Sequence, residues 1–137
     1  MNEFSQATLL LVDDEAEVLD GLTKVLTAAG YTCHCASTEE DATRLAAEID
    51  ADLLISDINL AGESGLEMCE NLKRNCGLAS LPIMFLSGAQ IPDIIRRAHA
   101  AGGTYYLRKP FDPEVLLELV DKALWMPHLA GPQLART

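Results

Sequence analysis

The stretch TLLLVDDEAEV, residues 8–18, runs five strand-forming residues directly into three adjacent carboxylates, Asp13, Asp14 and Glu15. An unbroken apolar run, rather than strict alternation, predicts a strand buried on both faces, as in a parallel sheet covered by helices. Ending a strand does not require three acids, and side by side they repel one another. A positive species is expected at that end.

The rest of the chain repeats the strand-then-helix pattern. After Asp14, the residues Val18, Leu22, Val25 and Ala29 recur at helical spacing, and Gly30 stops that helix. Tyr31–Ala36 predicts a second, more polar strand with Tyr31, Cys33 and Cys35 on one face. STEE (37–40) is a capping-box signal for a helix striped by Ala42, Leu45, Ala46 and Ile49. Leu53–Ser56 is the third strand and ends at Asp57. SGLE (64–67) is a second capping box, with Leu66, Cys69 and Leu72 inward. Pro82–Leu86 is the fourth strand, and Ile91, Ile95 and Ala98 mark a helix closed by Gly102-Gly103. Thr104–Leu107 is the fifth strand. Asp112-Pro113 is an N-cap followed by proline at the first helical position, before a stripe of Leu116, Leu119, Val120 and Ala123.

Five β/α units with right-handed crossovers leave few arrangements. The polar second strand belongs at an edge. The fold expected is α/β, a doubly wound five-stranded parallel sheet in the order 2-1-3-4-5 with five helices. At 137 residues one domain is expected, with 1–125 as the domain and 126–137 as a short tail or the start of a linker.

The formal charge is −11, from 10 basic and 21 acidic side chains, which disfavours direct nucleic-acid binding and suits cations or basic partners. MNEFSQA, residues 1–7, has neither a basic n-region nor an apolar h-region, and no apolar run has the length of a membrane span. A cytoplasmic protein is expected. Cysteines 33, 35, 69 and 76 fit no zinc-knuckle spacing and read as plain buried thiols.

In such a sheet the ligand site lies at the carboxyl ends of the strands, beside the switch point between strands 1 and 3. Asp13, Asp14 and Asp57 converge there. Their donor set suits a hard divalent cation, Mg2+ first, which takes one or two carboxylates, waters and a phosphate. Ser87 at the end of strand 4 and Lys109 beyond strand 5 add a hydroxyl donor and an ammonium. Together they describe a phosphoryl site, with Asp57 as the attacking carboxylate because Asp13 and Asp14 are needed for the cation. Singly, each residue has an ordinary role as cap, turn or solvated bend. Their placement at one end of one sheet is what argues for chemistry.

LLLVDDE, LLISDINLAGESG, MFLSG and YYLRKPF, at these separations, resemble the four motifs of a receiver domain of a bacterial two-component response regulator, over about residues 7–125. The resemblance implies a flavodoxin-like fold. It implies that Asp57 is the phosphoacceptor, charged by a sensor histidine kinase or a histidine phosphotransfer protein. It implies Mg2+ on Asp13, Asp14, Asp57 and the carbonyl of Asn59, phosphate binding by Ser87 and Lys109, switching by Ser87 and Tyr106, and a cis bond before Pro110. A homodimer or an output domain would read the switched surface. The chain would then catalyse only its own Mg2+-dependent phosphorylation and dephosphorylation, and would not be an enzyme otherwise. Two positions depart from the family: Ala61 replaces a usual proline, and Gly103-Thr104 a usual Ala-Asp pair.

Two other classes share parts of this pattern. A flavodoxin-like mononucleotide binder needs a Ser/Thr/Gly-rich loop after strand 1, where Asp13-Asp14-Glu15 would repel phosphate. Haloacid-dehalogenase-type phosphatases need a second acid two residues after the nucleophile, where this chain has Asn59.

Overall fold

The computed structural model describes residues 7–60, 62–77, 80–88, 96 and 105–125. The elements are β1 (Thr8–Val12), α1 (Ala16–Ala28), β2 (Thr32–Ala36), α2 (Glu39–Glu48), β3 (Leu53–Asp57), a short hairpin of β4 (Asn59–Leu60) and β5 (Glu63–Ser64), α3 (Gly65–Asn75), β6 (Ile83–Ser87), β7 (Tyr105–Arg108) and α4 (Pro113–Trp125). The five long strands pair in parallel in the order β2-β1-β3-β6-β7. Leaving out the hairpin, this is the expected 2-1-3-4-5. Of the helix expected around Ile91–Ala98 only residue 96 is described, and it is helical; the tail 126–137 lies outside the described residues.

The apolar run of β1 is explained by what lies on each side of it. Leu10 and Val12 join one core with α2 and α3, including Leu54, Phe85, Leu66, Met68 and Leu72. Leu9 and Leu11 join a second core with α1 and α4, including Leu22, Leu26, Ile55, Leu116 and Val120. All four are fully buried, and each contributes roughly 1.5–3 kcal/mol of hydrophobic stabilisation. Among the described residues, β2 pairs only with β1 and stands at the edge.

Several local expectations shift. In α1 the buried pair is Leu22 and Leu26, with Val18 and Val25 flanking; Ala29 is the C-cap and exposed. Gly30, at φ 102°, ends the helix in a Schellman arrangement, with Gly30 N–H on Thr27 O and Tyr31 N–H on Leu26 O. The cap of α2 falls one residue later than expected, with Thr38 Oγ1 accepting from Asp41 N–H at 3.1 Å. Ser64 caps α3 as expected, accepting from Glu67 N–H. β6 sits one residue later than its apolar run suggested, and β7 ends one residue later, at Arg108. Of the cysteines, only Cys69 is buried and Cys35 is exposed, its Sγ 3.3 Å from Thr23 Oγ1. Burial pushes the Cys33 thiol up to about 11 and the Cys69 thiol up to about 12, so both stay protonated.

Candidate functional site

Three strand ends build the site. Asp13 follows β1, and its N–H donates to Ala36 O, extending the β1–β2 ladder by one residue. Its Oδ1 accepts from Glu15 N–H at 2.9 Å, which turns the chain into α1. Neither Asp13 nor Asp14 caps that helix; Glu15 holds the N-cap position without a side-chain cap bond. Asp57 closes β3, the central strand, and its Oδ1 accepts from Asn59 N–H at 3.1 Å. Lys109 follows β7, where its N–H donates to Ser87 O at 2.8 Å, and the Lys109-Pro110 peptide is cis.

From there Lys109 reaches across the end of β6. Its Nζ donates to Asp57 Oδ2 at 2.8 Å and to Glu15 Oε1 at 3.1 Å, and forms an ion pair with Asp13 Oδ2 at 2.8 Å. An ammonium has three donors, so three carboxylates engage it fully. Burial lowers the Lys109 pKa, but hydrogen bonds to Asp13, Asp57 and Glu15 outweigh it and hold the ammonium above its usual range. Asp13 is fully buried. Burial raises its pKa most, the Asp57 charge adds to that, and Lys109 with the Glu15 N–H opposes it.

One ammonium does not balance this pocket. Donor oxygens of Asp13, Asp14, Glu15 and Asp57 all lie within 4.8 Å of one another. Asp13 Oδ2 is buried, and Lys109 Nζ stands 2.8 Å from it while also serving Asp57 and Glu15. Four carboxylates sharing a single ammonium leave negative charge that fits a hard cation. The residues present therefore suit Mg2+.

The structure brings Asp13, Asp14, Asp57 and Lys109 together. Asn59 is exposed and its N–H holds Asp57. Ser87 is half-buried at the end of β6, in register with Arg108, beyond the Asp57–Leu86 row. Tyr106 is half-buried in register with Phe85, against the α2–α3 core, and burial raises its pKa. Glu15 was visible in the opening motif but carried no assigned role. Its contact with Lys109, 94 residues away, has no local sequence signal.

The sheet and the acid-and-lysine crevice at its switch point define an α/β domain built to receive a charged group. The chain belongs to the response regulator receiver domain family, whose model matches residues 9–121. It is similar to the phosphate regulon transcriptional regulatory protein PhoB of Pseudomonas aeruginosa, 33% identical over 80% of this chain and 48% of that protein. Among solved structures it is similar to a putative response regulator from Chloroflexus aurantiacus, with a TM-score of 0.82 and 32% identity, covering 88% of this chain and 98% of that one. The Vibrio cholerae chemotaxis protein CheY4 superposes with a TM-score of 0.81 at 29% identity, covering 85% and 98%. The chain spans about half the length of the first curated relatives it matches. Among the described residues, no helix is long and apolar enough to cross a membrane.

Proposed function

We propose that Asp57 is the phosphoacceptor of this receiver domain, taking a phosphoryl group from the phosphohistidine of a sensor histidine kinase or a histidine phosphotransfer protein. The carrying observation is the Asp57 carboxylate, held by Lys109 Nζ and Asn59 N–H beside the buried carboxylate of Asp13. A carboxylate oxygen of Asp57 attacks phosphorus, the phosphorus–nitrogen bond to histidine breaks, and an acyl phosphate remains. Asp13, Asp14, Asp57 and the Asn59 carbonyl would hold Mg2+, which when bound neutralises the oxygens of the transferring group. Lys109 and Ser87 supply a cation and a hydroxyl to those oxygens. The chain turns over no other substrate and acts as a signalling module.

Charge arriving at Asp57 draws the Ser87 hydroxyl toward it through a charge-assisted hydrogen bond. Tyr106, on the adjacent strand, then turns inward, and the surface around β7 and α4 offers a new shape to an output domain or a second copy. Phosphorylation needs only to favour one of two packings.

Acetyl phosphate with Mg2+ tests the acceptor. One base-labile phosphoryl group is expected per wild-type chain and none on Asp57→Asn, which keeps the side-chain shape. Labelling of that variant at the wild-type rate would move the acceptor elsewhere.

A further inference from the structure

The residue that begins α3 touches the proposed acceptor from behind. After β3 the β4–β5 hairpin folds the chain back, so that Gly65 N–H donates to Ile58 O at 2.7 Å. A Cβ built on Gly65 would overlap the Asp57 carbonyl oxygen and stand 3.0 Å from both the Asp57 carbonyl carbon and the Ile58 oxygen. The obstacles are all backbone. Gly65 is not among the glycines with positive φ, so space, not conformational freedom, requires a residue without a side chain.

Neither side of this contact can retreat. α3 is anchored by buried Leu66, Met68, Cys69 and Leu72, and β3 is clamped between β1 and β6. Ile58 N–H is tied to Leu86 O at 3.0 Å. Strain from a methyl therefore falls on the peptide plane after Asp57, and tilting that plane rotates the Asp57 side chain about its own Cα. That side chain is aimed by a 2.8 Å bond to Lys109 and a 3.1 Å bond from Asn59.

We propose that Gly65 is a positioning residue for phosphoryl transfer, its bare backbone letting α3 close on β3 and fixing the aim of the Asp57 carboxylate. The proposal rests on the reading of Asp57 as acceptor. A displacement of about 1 Å at a reacting group costs on the order of 100-fold in rate.

The test compares acetyl phosphate labelling rates, at saturating Mg2+, of wild type, Gly65→Ala and Gly62→Ala. Gly62 lies in the same hairpin at φ 89° with nothing within 4 Å of a built Cβ, so its substitution strains the hairpin without touching Asp57. The 13C resonance of the Asp57 carboxyl reports its surroundings in the folded chain. The proposal expects a folded Gly65→Ala labelled about 100-fold slower, with that resonance displaced, while Gly62→Ala stays within about twofold of wild type. A wild-type rate in Gly65→Ala, an undisplaced resonance, or equal losses in both variants would overturn it. If Gly65→Ala does not fold, it is rebuilt on Gly21→Ala. A chain that still does not fold overturns the proposal too, because the contact then governs folding rather than the aim of Asp57. Absent labelling of wild type, or labelling of Asp57→Asn, removes the acceptor reading and is scored separately.

Discussion

Replacing Lys109 with methionine keeps the aliphatic stem and removes the one ammonium that faces Asp13, Asp57 and Glu15. The Lys109 side chain is only 13% exposed, and those of Asp13 and Asp57 are 0% and 9%. Removing one partner of a buried ion pair leaves an uncompensated buried charge and costs roughly 3–5 kcal/mol. The pocket opens toward exposed Asp14 and Glu15, which places the expected loss near the lower end, about 3 kcal/mol without divalent cation. Mg2+ should return most of it, since a ligand at 100 times its Kd stabilises by about 2.7 kcal/mol. The pH dependence has a fixed sign. Asp13 is already raised above 3.8 by burial, and without Lys109 it rises further. A group raised on folding contributes stability that is present below its unfolded pKa and lost as pH rises through its folded one. Lys109→Met should therefore approach wild type as the solution is acidified from neutrality toward pH 5. Urea unfolding in EDTA and in Mg2+, across that range, measures all three effects. A loss under about 1 kcal/mol, insensitive to Mg2+ and pH, would refute the electrostatic account of this pocket.

Asp13→Asn removes a charge that burial disfavours while keeping an acceptor for Glu15 N–H. Its unfolding midpoint in EDTA at neutral pH should rise and its response to Mg2+ should shrink; a lower midpoint counts against the site. Gly21→Ala fills a helix interior where the new methyl meets only the Phe111 ring at 3.5 Å, so denaturant melts should show a gain of about 0.5–1 kcal/mol. A lower midpoint there would mean that Phe111 cannot accommodate the contact. Beryllofluoride, a phosphoryl mimic, should shift NMR resonances of Tyr106 and of α4, and shifts confined to the neighbours of Asp57 would reject the switch.

Hydrophobic pattern made the sheet legible. β1, β3 and β6 are covered on both faces, so their apolar runs left little choice of element, and the polar Thr32–Ala36 segment could only stand at an edge. In α1, Val18, Leu22 and Val25 lie on or beside the core as their spacing suggests, but Leu26 and Ala29 both fit helical spacing, and only the packed core separates them. The β4–β5 hairpin has two residues per strand, too few to show any period. The acids of the site were legible as neighbours in the chain or as strand ends. The roles of Glu15 and Gly65 were not, because each comes from a contact that the chain makes only after folding: one with a lysine 94 residues away, the other with a strand end across a hairpin.

The central claim is that the phosphoryl group sits on Asp57. Wild-type protein charged with acetyl phosphate and Mg2+, then reduced with borohydride, converts the acyl phosphate to homoserine at the position that carried it. Mass spectrometry of the digested chain reads that position directly. The account predicts homoserine at residue 57 alone, and homoserine at 13 or 14, or 5-hydroxynorvaline at Glu15, with Asp57 intact, would contradict it.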